Sequence, residues 1–599
     1  MSRLTSPSEW VAPLTPIVSL AILPLGPVLF PRAYLVLLFS YFVIFLYSQV
    51  NHLCKFFITA RRMRRVIRKW NFRLGSDSSD GVTSVDRQEE KSGLLITRSR
   101  EDTAASSSSR ADSPNFTRDR TVLIDNNRSN FQTDFADIED RLQFYQDPTY
   151  MHAFIIPNYC EPEGLLRDTI NRLATHRNAH THYVIILAME AAEPDYEEKG
   201  RRLQEFFKDR FAHFIVTGHP PDIPGESRGK GSNVAYAARH GCTELMKRGI
   251  DKTRVILTVT DSDSAIPELY IREMEDALYK AEDPYHLLFA PPIFFSRNCF
   301  EVPAAVRVTD ITWSAMVMSN LSNSEGLAFP CSTYSLSLML AERVGYWDTD
   351  ADSVGEDMHM FLKCFFKTDG LARTVPIYVP INLTNVQTNG YFSNMNARYV
   401  QAKRHYNGVA DVAYALRHAF RLSGYPHVSK QASSSNYLTK LTVCLKVLEA
   451  HMIPVTSGWL MFAALPLMQF ILFPPHSMVA FINPADNPLL ISEFYATLWN
   501  TTKLITVFLP LPLFGTLAIY EHIHRTIDRD FLQKSKADSR QWKNLLDYVT
   551  LPIAAWLFMT LPSTLACFKR LRMREEQYIV SEKFFKDENP LAAKIEELV

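Results

Sequence analysis

The apolar positions of this chain fall into three textures. Residues 12–30 are apolar but carry Pro13, Pro16, Pro24 and Pro27, which predicts a poor or kinked membrane span. Residues 33–57 follow without such interruptions and exceed the ~20 residues needed to cross a bilayer. From His152 the period changes, and short β-branched runs alternate with amphipathic stretches. The pattern predicts strands at 153–156, 183–188 and 214–216 and a fourth running from 254 toward Asp261, with helices at 163–175, 197–211 and 230–248. Strands alternating with helices of this length imply crossover connections and a parallel sheet. After residue 430 long apolar runs return at 451–473, 501–520 and 548–568, each sufficient for a span.

The stretches between these textures complete the division. Residues 74–133 are rich in Ser, Asp, Arg and Thr with no apolar period, which predicts a disordered linker. Residues 408–450 set Tyr414, Leu416, Phe420, Tyr437, Leu441 and Leu445 among Lys and Arg. That suits either amphipathic helices lying on the cytosolic membrane face or an ordinary packed helix pair. The expected domains are a membrane region at 12–58 with one or two spans, a basic and disordered linker at 59–133, and a catalytic domain at 150–425. Interfacial helices and about three spans follow at 426–575, then a tail at 576–599.

Charge orients this arrangement. The basic run from Arg61 to Lys69 follows the second apolar block, and Lys/Arg beside a span mark its cytoplasmic end. The same order argues against a cleaved signal peptide, whose charges lead. The large domain is therefore expected in the cytosol, leaving the sequons at Asn115, Asn127, Asn320 and Asn382 unglycosylated. The charged loop 522–543 makes the first two C-terminal spans a hairpin; basic residues flank the third on both sides and leave its direction open. Lys+Arg and Asp+Glu are equal at 64 each, so the totals carry no nucleic-acid footprint. Eight cysteines without a C-x-x-C pair fit reduced thiols and exclude a zinc or disulfide framework.

Candidate chemistry centres on Asp261-Ser262-Asp263, where the β-branched run from Arg254 stops. In a strand, the i, i+2 spacing aims both carboxylates one way, at the strand end where ligands of such sheets collect. Two hard oxygen donors there suit Mg²⁺ or Mn²⁺ shared with phosphate. Taken alone, such a pair is more often a turn that caps the helix after Pro267. Four further features keep it company in order. Residues 155–164 end the first strand in a loop containing Pro157, Tyr159 and Glu161. Residues 228–233 form a basic, glycine-containing loop with Lys230 at a helix start. Glu356-Asp357 offers a second carboxylate pair, and Gln401 to Tyr406 precedes the membrane region.

With these motifs the sequence resembles the membrane-embedded family 2 glycosyltransferases: cellulose, chitin and hyaluronan synthases, with glucosylceramide synthase a relative. The likeness covers about residues 150–425 and the membrane frame on both sides. It implies an α/β GT-A (nucleotide-diphospho-sugar transferase) domain with N-terminal and C-terminal transmembrane helices. Pro157, Tyr159 and Glu161 would then contact uridine and Lys230 the diphosphate. Asp261 and Asp263 would carry uridine diphosphate and the metal, Mg²⁺ or Mn²⁺. Asp357 would be the catalytic base, with Glu356 beside it as the other choice, and Gln401 and Arg404 would complete the site. Cys331, Ser332 and Thr333 stand where the family lines its acceptor pocket. Two positions depart from the pattern: Glu190 replaces a usual Asp-Asp-Gly strand end, and His405 replaces a Trp that lies near the acceptor in processive members.

The resemblance implies an inverting enzyme that transfers a sugar from a UDP-sugar to a growing polysaccharide with a β-linkage, at the cytosolic face of a plasma, Golgi or other endomembrane. Its alternatives are single transfer to a lipid or other membrane-bound acceptor, and an inactive membrane scaffold of the same fold. His359, His405 and His451 have spacing unlike a zinc site. Trp313 fits either sugar stacking or the domain's own core.

Overall fold

Two neighbouring strands, β1 (Met151–Asn158) and β2 (Tyr183–Glu190), show why this domain is a sheet between helix layers. Ala153, Ile155, Val184 and Ile186 enter one hydrophobic cluster, while Phe154, Ile156, Ile185 and Leu187 enter another on the opposite face. A strand buried on both faces has no polar side to spare, which is why these runs are continuously apolar. The computed structural model describes residues 6–77, 150–420, 434–472, 489–530 and 545–572, apart from 324, 351, 352 and 354. The expected linker beyond Asp77 and the tail at 576–599 lie outside the described residues.

The remaining strands are β3 (His213–His219), β4 (Val255–Val259), β5 (Leu287–Ala290), β6 (Ile293–Phe294), β7 (Tyr334–Ser337), β8 (Arg373–Pro376) and β9 (Ile381–Asn382). Of the nine described strands, seven pair in the order β3-β2-β1-β4-β7-β5-β8, and β6 pairs with β9 in a separate parallel ribbon. Helices Lys230–Lys247 and Glu356–Lys367 cover one face; Glu163–Ala174 and Glu268–Lys280 cover the other.

The sheet is mixed rather than wholly parallel as expected, because β7 runs antiparallel to both β4 and β5. Its sequence, Tyr-Ser-Leu-Ser, lacks the β-branched signature of the other central strands. It is held by polar pairing instead: Ser335 Oγ lies 2.8 Å from Thr258 Oγ1 and 2.9 Å from the Tyr270 hydroxyl. A buried hydroxyl trio paired this way avoids the penalty of an unsatisfied buried polar group.

Among the described residues, five helices are long and apolar enough to cross a membrane: Pro7–Leu29, Pro31–Trp70, Tyr437–Leu472, Glu493–Arg525 and Leu546–Leu571. The first is continuous although its four prolines lie within it, so the expected poor span is a full helix. Prolines are tolerated in a membrane-length helix where neighbouring helices and local adjustments answer the freed carbonyls. Within residues 408–450 two helices pack on each other. Val412 and Ala415 of helix Ala410–Phe420 share a buried cluster with Val443 and Val447 of helix Ser434–Trp459.

Catalytic and membrane parts are joined through helix Ala304–Leu321. Val308, Ile311 and Ala315 pack with Phe56 and Met63 of helix Pro31–Asp77 and with Leu517 and Leu551. Arg307 closes the contact with Asp547 through two bonds of 3.0 and 2.6 Å. A second buried pair, Arg398 Nη2 to Asp310 Oδ1 at 3.0 Å, fastens helix Tyr391–Tyr406 to the same helix.

Removing one partner of such a pair strands the other charge away from water. Arg398→Met should destabilise the protein by about 3–5 kcal/mol, read as a lower thermal unfolding midpoint in detergent. Arg398→Met with Asp310→Leu should recover most of it; a single variant as stable as the wild type contradicts the pairing.

Candidate active site

β4 ends at Val259, so Asp261 and Asp263 are not strand residues as the i, i+2 argument requires; they stand in the turn that follows, where Ser264 N–H bonds Asp261 O at 3.1 Å. Both acids nevertheless line one cavity, of 770 Å³. The turn is fixed from three sides. Thr169 Oγ1 donates to Ser262 O at 2.7 Å, Arg297 Nη1 to Asp263 O at 2.7 Å, and Ala265 pairs with Asn382 of β9. The Asp263 carboxylate accepts the Thr384 N–H at 3.3 Å and the Thr384 hydroxyl as well.

Lys230, at the first turn of its helix, lies 2.7 Å from Asp261 Oδ1 and 2.7 Å from Glu356 Oε1. Burial works against its charge, but Asp261, Glu356 and Asp357 together hold its pKa well above the ordinary lysine value. Burial pushes the Glu356 carboxyl up to about 7, against the pull of Lys230 and with help from the Asp357 charge. The helix start that presents Glu356-Asp357 is anchored by His359, whose ring nitrogens lie 2.6 Å from Asp411 and 3.1 Å from Asp348. Burial alone would keep this imidazole neutral; the two carboxylates raise its pKa to about 10.

Ser332 connects the two acidic motifs. Its hydroxyl donates to Asp261 Oδ2 at 2.5 Å and its N–H donates to Asp357 Oδ2 at 2.9 Å. It does so with φ of 61°, in the left-handed region that costs a side-chain-bearing residue energy and that recurs at functional sites. Asp357 Oδ1 also accepts the Met358 N–H at 2.8 Å, which leaves its carboxylate facing the cavity with its orientation set by backbone.

The other predicted residues gather around this cluster, with one exception. Pro157, Tyr159, Glu161 and Glu190 line the same cavity, as do Gln401, Arg404, Cys331 and His405. The loop after β1 is braced by a buried pair: Glu193 accepts from Asn158 Nδ2 at 2.6 Å and Cys160 N at 3.0 Å, and Lys199 reaches Glu161 O at 2.5 Å. Glu190 lies 3.0 Å from His219 Nδ1, and His219 Nε2 lies 3.2 Å from Glu226. Trp313 lines the cavity too, donating to Cys331 Sγ at 3.4 Å and lying 5.4 Å from the His405 ring. Thr333 is the exception. It is fully buried with its hydroxyl 3.1 Å from Thr260 Oγ1, because the return into β7 turns it toward the sheet.

Thr384, Arg297 and the bridging role of Ser332 were not legible beforehand. Thr384 and Arg297 lie more than thirty residues from the acid they hold. Among the described residues no group of three or more His, Cys, Asp or Glu is placed to hold a metal ion. His359 and His405, two members of the histidine set, are accounted for by carboxylate pairing and by Trp313.

The raised carboxyl of Glu356 makes a signed prediction. Its stabilising contribution is fully present below its ordinary value of 4.5 and is lost as pH rises through about 7, because the native state keeps a proton the unfolded chain has released. The unfolding midpoint of the wild type minus that of Glu356→Gln should therefore fall between pH 5 and pH 8. A flat difference contradicts the assignment.

Residues 256–483 match the model of a family described as glycosyl transferase family group 2. The match takes in Asp261, Glu356-Asp357 and Gln401 but begins after the first three strands and Lys230. No curated protein matches the chain. Among solved structures, a mannosyltransferase from Pyrobaculum calidifontis, in complex with GDP-Man and Mn²⁺, aligns at 16% identity over 64% of this chain and 96% of its own, with a TM-score of 0.35. Glucosyl-3-phosphoglycerate synthase from Mycobacterium tuberculosis, in complex with Mn²⁺, UDP and glucosyl-3-phosphoglycerate, aligns at 14% over 42% and 78%, with a TM-score of 0.25. With the ordered motifs and the mixed sheet between helix layers in place, residues 256–483 mark a domain of glycosyl transferase family group 2, framed by membrane-length helices.

Proposed function

We propose that this protein transfers a sugar, with inversion, from a uridine-diphospho-sugar to an acceptor that reaches the site from the membrane side. The observation that carries this reading is the convergence of Asp261, Lys230, Glu356 and Asp357 on one cavity that also runs between the membrane-length helices. The basic run after residue 60 supports a cytosolic catalytic domain.

In the reaction an acceptor hydroxyl attacks the anomeric carbon, the bond from that carbon to the diphosphate oxygen breaks, and the hydroxyl proton passes to Asp357. A sugar or lipid hydroxyl is a weak nucleophile until that proton is taken. Asp357 suits the task better than Glu356, because Glu356 is buried against Lys230 while Asp357 faces the cavity with two backbone N–H groups fixing its direction. Lys230 and Arg404 would meet the charge growing on the departing diphosphate. Asp261 and Asp263 fit Mg²⁺ or Mn²⁺ of the kind that takes one or two carboxylates and completes its shell with phosphate and water. Such an ion, when bound, neutralises leaving-group charge. Ser332 keeps the donor-side and base-side carboxylates in register.

Asp357→Asn should lower turnover of labelled UDP-sugar by about 10²–10⁴-fold with little change in donor KM, and Glu356→Gln should cost less. Near-normal turnover in Asp357→Asn removes it as the base. Release of UDP that is unaffected by EDTA removes the metal.

Of the acceptors left open by the sequence, a membrane-bound molecule receiving one sugar has a specific observation in its favour over a growing polysaccharide. The membrane half of the cavity is walled mostly by apolar side chains such as Phe462, Leu513 and Met559, with few hydroxyls such as Ser457 and Thr506 to meet those of a sugar chain. Product size separates the two: a short glycolipid is expected, and a long enzyme-digestible glycan restores the polymer reading.

A further inference from the structure

Helix Tyr391–Tyr406 carries Gln401, Arg404 and His405 to the cavity wall, and Arg398 stands behind them at 2% exposure. Its guanidinium bonds in two directions. Nη2 reaches Asp310 Oδ1 at 3.0 Å, while Nη1 donates to Gln401 Oε1 at 2.9 Å. Asp310 is itself buried on helix Ala304–Leu321, whose Trp313 ring lies 5.4 Å from that of His405. One helix thus backs two cavity-lining side chains of the other.

Stability alone gives a weak reason for burying these charges, because an apolar pair of similar volume is often as stable as a buried ion pair. What an apolar pair cannot supply is the second arm toward Gln401. A guanidinium is a rigid fork of five N–H donors that accepts nothing, so the atom it meets on a side-chain amide is the oxygen. The end of Gln401 left for the cavity is then the NH2 group, with two donors. Without Arg398, a half turn about the last side-chain torsion exchanges oxygen and nitrogen at little cost, and the cavity meets an acceptor as readily as a donor. A nucleotide sugar is dense in acceptor oxygens, so a donor held in one direction gains on it where a freely turning amide does not.

We propose that Arg398 is a positioning residue for sugar transfer: anchored by Asp310, it locks the Gln401 amide with its N–H donors toward an oxygen of the bound UDP-sugar. The inference rests on the glycosyl-transfer reading and adds to it the group that sets the direction of one substrate contact.

The test follows UDP release by the full-length protein in its membranes, from the UDP-sugar that the wild type turns over, beside the thermal unfolding midpoint in detergent. Asp310→Leu with Arg398→Met should unfold near the wild-type midpoint yet lose about tenfold in kcat/KM, the effect of one hydrogen bond. Gln401→Ala should lose the same factor by itself and nothing further when added to that pair. Gln401→Glu keeps an oxygen for Arg398 but removes the donors, and should lose at least as much as Gln401→Ala. Where the apolar pair does not fold, Arg398→Lys takes its place: the ammonium keeps its charge against Asp310 without the fork, and should carry the same loss. A folded apolar pair or an Arg398→Lys protein with wild-type kcat/KM, a Gln401→Ala loss that multiplies fully with that of the pair, or a fully active Gln401→Glu each overturns the inference. Any of these in a preparation whose wild type releases UDP overturns this inference alone, whereas a wild type that releases UDP from no UDP-sugar overturns the reading beneath it.

Discussion

Asp261, Glu356 and Asp357 repel one another across the cavity they line, and the domain is arranged around the Lys230 ammonium group that offsets them. Lys230 touches Asp261 and Glu356 at 2.7 Å each, while Ser332 links Asp261 to Asp357 from the other side. The three acids come from a turn after a strand and from the first turn of a helix; the lysine comes from another helix start. Unless the sheet holds those three ends together, the charges have no reason to coexist. Desolvation pushes Glu356 toward neutrality against the pull of Lys230, whereas the surrounding carboxylates hold Lys230 charged against its own burial.

Support for the cluster reaches outward in layers. Thr384 and Arg297 hold the Asp263 turn, and His359, charged between Asp348 and Asp411, ties the Glu356-Asp357 helix to helix Ala410–Phe420. Because helix Ala410–Phe420 packs on a membrane-length helix, the orientation of the proposed base is coupled mechanically to the membrane region. Helix Ala304–Leu321 makes the second coupling, carrying Trp313 to the cavity while pairing Arg307 with Asp547 and Asp310 with Arg398. The catalytic domain and the membrane helices thus share walls, and one cavity crosses between them.

Much of the fold was legible because its determinants are local. β1, β2 and the helix from Lys230 follow from apolar period and length, and the long apolar runs announce the membrane frame. The acids, Lys230 and the Gln401 to Tyr406 motif could be picked out because each sits at an element end, where composition changes abruptly. Less local features escaped. β7 is polar by composition and owes its place to Thr258 and Tyr270 across the sheet. Thr333 is adjacent to Ser332 yet points away from the site, since consecutive residues entering a strand face opposite directions.

The sequence by itself determined the order of the chemistry: which residue types end which strands, that a basic helix start precedes the acids, and that apolar helices flank the whole. Those are statements about neighbours along the chain, and side-chain period and charge suffice for them. Only the tertiary structure decided that Asp261 and Asp357 share one serine, that Asp263 is held by a threonine far downstream, and that the cavity continues past the sheet into the membrane helices. Each of these depends on distances between segments brought together by burial on both faces of the sheet, and no periodicity within a segment encodes them.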